Sequence, residues 1–220
     1  MRTTNTKKLR PVLVAATGFF AGAVPFSNLM ARRVKGVDLR TVGTGTVSGT
    51  GLFEVAGMGP LAIAGVLEVA KGALGPSLAR NDGPVAGALA AAAAVAGHNW
   101  SPFLKGAGGR GLSPALGALL VLAPAGTATL LAGLVAGKLA GETSLGCLAA
   151  YGVLTPVCQR YHGQRGLYAA LGVLVPLLAK RLMGNTPAVG DKATVYLCRL
   201  LFDRDSRAKP LQASVQEEGN

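Results

Sequence analysis

Two glycine-rich segments carry hydroxyl groups and cations at spacings that could hold a phosphate group. The first glycine loop, residues 38–51, reads Asp-Leu-Arg-Thr-Val-Gly-Thr-Gly-Thr-Val-Ser-Gly-Thr-Gly. Glycine permits positive φ angles, so successive backbone N–H groups can converge on an anion, and Thr and Ser hydroxyls add donors. The Gly-Lys-Ser/Thr ending of a P-loop is absent, and a flexible linker between two helices is the alternative interpretation. The candidate phosphate ligands here are Arg40, Gly43, Thr44, Gly45, Thr46, Ser48 and Thr50.

The second glycine loop, residues 97–111, places one arginine among glycines. It reads Gly-His-Asn-Trp-Ser-Pro-Phe-Leu-Lys-Gly-Ala-Gly-Gly-Arg-Gly. We expect its guanidinium to be presented beside exposed backbone donors, and arginine suits bidentate phosphate recognition. The alternatives are that its cations only set membrane topology and that its histidine is an interfacial residue. The candidates are Lys105, Gly108, Gly109, Arg110 and Gly111 for phosphate binding, and His98 as a general base or phosphate donor.

Glu68 and Lys71 lie three residues apart in an otherwise apolar stretch, residues 55–79. Ionisable groups inside a membrane segment are costly, so they are candidates for a functional site. They can also pair with each other on one helix face, or Lys71 can extend towards the membrane surface.

The elements that must position these residues are long uncharged runs. A transmembrane helix needs about 20 mostly apolar residues. No Asp, Glu, Lys or Arg occurs in residues 11–31, 83–104, 111–137, 143–159 and 166–179. The 111–137 run predicts two short segments broken near Pro124 and Gly126. We therefore predict an all-α, polytopic transmembrane helical bundle of about seven membrane segments, and the lack of alternating strands excludes a β-barrel.

The composition excludes several other classes of protein. Of the 220 residues 50% are hydrophobic and only 15% are charged, which argues against an ordinary water-soluble domain. The formal charge is +12, but the cations lie between apolar runs and aromatics are only 5%, so no nucleic-acid partner is expected. Three cysteines without a C-x-x-C spacing predict neither a disulfide scaffold nor a zinc site. No metal and no cofactor are expected.

The charge distribution predicts orientation and domain limits. With seven segments, the tail and the loops 32–54, 105–110 and 138–142 share one side and carry 14 of the 22 Lys and Arg residues, against 7 on the other side. The positive-inside rule then places the glycine loops in the cytoplasm of a multi-pass protein of the cell inner or plasma membrane. We predict a basic N-terminal segment (1–10), a transmembrane domain (11–183) and a cytoplasmic, partly disordered C-terminal extension (184–220).

The ordered motifs resemble those of the bacterial membrane acyl-phosphate:glycerol-3-phosphate acyltransferases, over roughly residues 20–183. Residues 22–26 are similar to that family's Gly-Ser-Ile-Pro-Phe, and 38–45 to its Asp-Ile-Arg-x-x-Gly-Ser-Gly. Residues 68–72 are similar to Asp-x-x-Lys-Gly, and 97–111 to Gly-His…Lys-Gly-Gly-Lys-Gly.

The resemblance implies transfer of an acyl chain from acyl phosphate to the 1-hydroxyl of glycerol 3-phosphate, which gives lysophosphatidic acid for phospholipid synthesis. The expected partners are these two small-molecule substrates and the lipid bilayer, and no oligomeric state is predicted. The implied roles are catalytic for His98, Lys71 and Arg110, and substrate binding for Glu68 and the other residues of the two loops named above.

The chain also departs from the family pattern. Thr46 and Gly51 stand where the family has asparagines, Ala107 replaces a lysine, and the family's His-Arg-Glu-Asn motif near the chain end has no clear counterpart. Two alternatives therefore remain open: a degenerate, non-catalytic membrane scaffold, and a small-solute or lipid-phosphate transporter. The absence of a convincing internal repeat weighs against the transporter.

Overall fold

The computed structural model describes residues 3–43 and 45–205. These residues form α-helices, two short 3-10 turns and no strand, which confirms the predicted all-α class. The helices are α1 (Thr3–Ala23), α2 (Phe26–Lys35), α3 (Gly49–Ala56), α4 (Met58–Leu78), α5 (Pro84–Asn99), α6 (Leu112–Leu122), α7 (Pro124–Leu139), α8 (Thr143–Met183) and α9 (Lys192–Phe202).

Proline, glycine and short polar side chains set many of the helix boundaries. Pro84 and Pro124 stand at the first turn of α5 and α7, where the missing N–H costs nothing. The break between α6 and α7 falls at Ala123, which confirms the division expected near Pro124 and Gly126. Ser48 caps α3 by accepting a hydrogen bond from the N–H of Gly51, as short polar residues commonly do.

Helix α8 is a hairpin of two arms. Gly163 interrupts it with φ of 59° and ψ of −144°, a conformation that glycine adopts without a Cβ penalty. The Arg181 guanidinium donates to the carbonyl of Ser144 at 2.8 Å, so the end of α8 returns to its beginning. The uncharged runs 143–159 and 166–179 are these two arms.

Hydrogen bonds define two ends of the bundle. The site end holds both glycine loops and the residues after α8, because Asn185 donates to the carbonyls of Gly45 and Gly108. The opposite end holds the Arg10–Asp82 ion pair, at 3.0 Å. Among the described residues, those of the loops 32–54, 105–110 and 138–142 and of the segment 184–205 lie at the site end, which agrees with the common side predicted for them.

Three stretches of the described chain are long and apolar enough to cross a membrane by length and composition: Leu9–Lys35, Met58–Leu78 and Thr143–Met183. Helices α5, α6 and α7 also run between the two ends, but they are shorter. The number of membrane segments, about seven, stays a prediction.

Glycines bring the helix backbones into direct contact. A Cβ on Gly97 of α5 would lie 2.0 Å from the Phe19 carbonyl oxygen of α1. A Cβ on Gly117 of α6 would lie 1.9 Å from the Val69 carbonyl oxygen of α4. Such contacts between small residues replace the hydrophobic effect, which provides little attraction between helices in lipid. They hold α4, α5 and α6 in the positions that place the candidate residues.

Candidate functional site

Glu68, Lys71 and His98 form a buried triad between α4 and α5. Glu68 Oε2 lies 2.6 Å from Lys71 Nζ and 3.0 Å from His98 Nδ1. The other carboxylate oxygen accepts hydrogen bonds from the N–H and the hydroxyl of Ser27, at 3.0 and 3.1 Å. All four residues are buried. Burying ions is costly unless they are paired and hydrogen-bonded, and each oxygen of this carboxylate has partners.

The break between α1 and α2 completes the surroundings of Lys71. Its ammonium donates to the carbonyl of Val24 and lies 5.8 Å from the centre of the Phe26 ring. Glu68 and Lys71 pair on one helix face, which is one of the alternatives that the sequence left open. Lys71 does not extend to the membrane surface, because Glu68 and Val24 hold it inside the bundle.

The second glycine loop packs directly on His98. A Cβ on Gly109 would lie 2.2 Å from His98 Nε2, and a Cβ on Gly108 would lie 2.2 Å from the His98 carbonyl oxygen. The N–H of Gly109 donates to that carbonyl at 3.3 Å. Both glycines are buried, so here they serve close approach of the backbone, and the exposed donors expected at these two positions are not found.

The two glycine loops are joined to each other. The N–H of Val47 in the first loop donates to the carbonyl of Gly108 in the second at 3.2 Å. The side-chain amide of Asn185 donates to the carbonyls of Gly45 and Gly108, at 3.2 and 3.0 Å. The guanidinium of Arg40 reaches the carbonyl of Leu104 at 3.4 Å. Residues far apart in sequence therefore form one surface above the triad.

Arg40 is held by Asp38. Its guanidinium lies 2.6 Å from the carboxylate, which also binds Arg32 and caps the turn that begins at Leu39. The hydrogen bonds from Arg40 lower the pKa of Asp38 well below its ordinary value of 3.8, against the opposing effect of burial. Asp38 is therefore ionised across the physiological range and fixes the direction of Arg40.

Arg110 contacts the segment that follows α9. Its Nε lies 3.0 Å from the carboxylate of Asp203, and its Nη1 donates to the carbonyl of Lys180 at 3.3 Å. Burial raises the pKa of Asp203 above its ordinary value of 3.8, and the charge of Arg110 opposes that shift. Arginine has five N–H donors, so this pairing leaves donors for a ligand.

The other predicted residues of the loops lie around this surface. Thr46 is buried, whereas Gly43, Thr50 and Lys105 are exposed. The hydroxyl of Ser48 is the cap of α3, and Thr44 lies outside the described residues. Gly43, Gly45 and Gly111 have the positive φ angles that a glycine-rich loop was expected to use.

Two residues of this site, Asn185 and Lys180, belong to none of the sequence motifs. Asn185 lies in the predicted C-terminal extension, and its only sequence signal is the pair Gly184-Asn185, which is typical of a helix end. In the sequence Lys180 is one of the seven Lys and Arg residues of the tail, and no local pattern shows that it is buried. Among the described residues, no three His, Cys, Asp or Glu side chains are grouped closely enough to hold a metal ion.

The chain matches a family model described as glycerol-3-phosphate acyltransferase over residues 12–186. It is 33% identical over 196 residues to a glycerol-3-phosphate acyltransferase of Synechococcus sp. (strain CC9902), an alignment that covers 84% of this chain and 98% of that protein. It is 28% identical over 217 residues to glycerol-3-phosphate acyltransferase 5 of Dehalococcoides mccartyi, with 90% of each covered.

The fold is that of a solved membrane protein. The crystal structure of the integral membrane glycerol 3-phosphate acyltransferase PlsY (YgiH), in its glycerol 3-phosphate form, superposes with a TM-score of 0.71 at 22% identity, covering 94% of this chain and 99% of that one. The lysophosphatidic acid form of PlsY superposes with a TM-score of 0.70 at 20% identity, covering 92% and 97%.

Proposed function

The chain belongs to the glycerol-3-phosphate acyltransferase family, and from that membership we propose that it transfers an acyl chain from acyl phosphate to the 1-hydroxyl of glycerol 3-phosphate. The product is lysophosphatidic acid, for phospholipid synthesis. One structural observation supports this proposal most directly. The two glycine loops are joined through Val47, Gly108 and Asn185, directly above the buried triad of Glu68, Lys71 and His98.

An acyl phosphate is already activated, so the reaction needs no covalent acyl-enzyme. The hydroxyl oxygen forms a bond to the acyl carbon, the bond from that carbon to the phosphate oxygen breaks, and inorganic phosphate leaves with the hydroxyl proton. The enzyme must hold the phosphate, align the hydroxyl with the carbonyl and stabilise the developing oxyanion. Cations and backbone or hydroxyl donors are sufficient for these tasks.

We assign phosphate binding to the joined loops. Arg110 and Arg40 supply cations whose directions Asp203 and Asp38 fix. Thr44, Thr46, Ser48 and Thr50 supply hydroxyls, while Lys105 adds a solvent-facing charge. The glycines at 43, 45, 108, 109 and 111 let the two loops approach each other and the ligand.

The buried triad supports this surface from below. Glu68 holds His98 through Nδ1, so the imidazole presents Nε2 to the second loop at Gly109, one residue before Arg110. Lys71 adds positive charge beside the carboxylate. His98 and Lys71 thus complete the polar site and the acyl tail lies between the helices.

This is a membrane protein, and we place its site end at the cytoplasmic face of the inner or plasma membrane. The support is the charge asymmetry of the sequence, since the segments predicted to share the side of the glycine loops carry 14 of the 22 Lys and Arg residues. Glycerol 3-phosphate is a small water-soluble substrate, and the exposed residues of the first loop give it access from that side.

The substitution Arg110→Ala tests the proposal. We expect acyl transfer by the purified, detergent-solubilised protein to fall roughly 100- to 1000-fold, because a preorganised donor to developing charge is lost. The measurement is release of inorganic phosphate and formation of lipid product from acyl phosphate and glycerol 3-phosphate. Arg33→Ala, which removes an exposed arginine at the same end, is the matched control and should retain full activity.

Arg110→Ala also leaves the partly buried Asp203 carboxylate without its ion-pair partner. The double variant Arg110→Ala with Asp203→Asn removes that difficulty, because the asparagine carries no charge. Full activity in a folded double variant would remove the phosphate-binding role of Arg110.

A further inference from the structure

Lys180, near the end of α8, is a buried cation that has no anionic partner in residues 3–43 and 45–205. Only 1% of the residue is exposed. In that part of the chain its ammonium makes no ion pair or hydrogen bond that would offset its burial, and the guanidinium of Arg110 places a like charge close to it. An unpaired ammonium with three donors is among the costliest groups to bury.

The neighbouring buried cations are satisfied, which makes Lys180 the exception. Arg181 donates to the carbonyls of Ser144, Arg199 and Leu201. Arg199 pairs with Asp205 at 2.6 Å and donates to three further carbonyls. The described chain therefore provides acceptors for both buried arginines and none for the ammonium of Lys180.

Lys180 lies beside the joined glycine loops. Its ammonium lies 5.4 Å from the centre of the Trp100 ring, within the second glycine loop, and Arg110 donates to its backbone carbonyl. His98 is also close enough to interact with its charge. The two carboxylates of the site are bound by other residues, Glu68 by Lys71 and His98, and Asp203 by Arg110.

We propose that Lys180 binds a phosphate group of a substrate, so that Lys180 and Arg110 form a pair of cations around one phosphate at the wall formed by Trp100. The bound anion is the missing partner of the ammonium. The ligand class, a phosphate monoester or an acyl phosphate, rests on the proposed function; the anion site itself rests on the unpaired charge. The phosphate can belong to glycerol 3-phosphate or to the acyl donor, and the experiment distinguishes the two.

The substitution Lys180→Met keeps an unbranched side chain that is one atom shorter and removes its charge. In purified protein we expect the KM for one of the two phosphorylated substrates to rise 10- to 100-fold while kcat changes less than threefold, and the substrate affected identifies the phosphate. The thermal midpoint in detergent should stay level or rise, because an unpaired buried charge is gone. Lys138→Met, the same change at an exposed lysine of the same end, should leave both KM values unchanged.

Inorganic phosphate gives a second measurement that does not need turnover. It should raise the thermal midpoint of the wild-type protein and of Lys138→Met, and raise that of Lys180→Met by less than half as much. The assignment would be overturned if Lys180→Met kept the wild-type KM values and if phosphate raised its thermal midpoint as much as that of the wild type. This holds even if the wild type is an active acyltransferase. If instead the wild type showed no acyl transfer, but phosphate raised its thermal midpoint more than that of Lys180→Met, the anion site would stand and the proposed function would be refuted.

Discussion

At the scale of residues, the site depends on carboxylates that orient cations. Asp38 binds Arg32 and Arg40, Glu68 binds Lys71 and His98, and Asp203 binds Arg110. Each carboxylate limits the directions that a long, flexible cation can take, so less conformational entropy is lost when a ligand binds. The charges that face the ligand are thereby set before it arrives.

The contribution of Asp38 to stability should depend on pH. Because the pKa of Asp38 is lowered in the folded protein, its stabilising effect is present above its ordinary value of 3.8 and is lost as the pH falls below that value. We expect Asp38→Asn to lower the free energy of unfolding by roughly 1 kcal/mol at pH 6, a modest value for a partly exposed pair. The measurement is thermal unfolding in detergent from pH 7 to 2.5.

The difference in stability between the two proteins should shrink as the pH falls towards 2.5, because protonation of the wild-type carboxylate then favours the unfolded state, where its pKa has the ordinary value. A difference that stays constant over the whole range would show that the charge of Asp38 is not the cause.

The sequence could predict the local ion pair of this site, but not its contacts between distant residues. A charge within an apolar run is costly, so the Glu68–Lys71 pair could be predicted from spacing alone. The contact of Glu68 with His98 depends on how α4 packs against α5, and the contact of Arg110 with Asp203 joins residues 93 positions apart. Such contacts have no local signature, and the same holds for the burial of Lys180.

At the scale of elements, small residues determine how closely the helices approach. Gly22, Gly97 and Gly117 each face a neighbouring backbone at a distance that a Cβ would not allow. Other helical glycines, such as Gly65 of α4, face open space. The abundance of glycine could be read from the sequence as a sign of close packing, but the individual contacts could not.

Gly117→Ala should therefore destabilise the bundle, whereas Gly65→Ala should not. The added methyl group at 117 overlaps the Val69 carbonyl of α4, and overpacking of this kind costs about 1–3 kcal/mol. At position 65 alanine meets no atom within 4 Å and gains up to about 1 kcal/mol of helix propensity. Thermal midpoints of the two variants in the same detergent provide the comparison.

Equal midpoints for the two variants would contradict the packing argument.

The turn of α8 at Gly163 could be predicted only in part. Arg160 and Arg165 separate the two uncharged runs in the sequence, but the reversal of the chain requires the positive φ at Gly163.

At the scale of the whole molecule, one end of the bundle collects the polar chemistry. Both glycine loops, the end of α8 and helix α9 meet there, while the lipid-facing helices carry little charge between the two ends. The sequence could predict this arrangement because charge and segment count together place the loops on a common side. It could not predict that α9 and the residues after it contact Arg110, because that depends on how the chain returns from α8.

The most direct test of the account is a reconstitution of the purified protein in lipid vesicles with acyl phosphate and radiolabelled glycerol 3-phosphate. We predict that lysophosphatidic acid and inorganic phosphate form in equal amounts, and only when both substrates are present. Glycerol 3-phosphate that binds without turnover, or that enters the vesicles without being acylated, would contradict an acyl-transfer function for the joined loops.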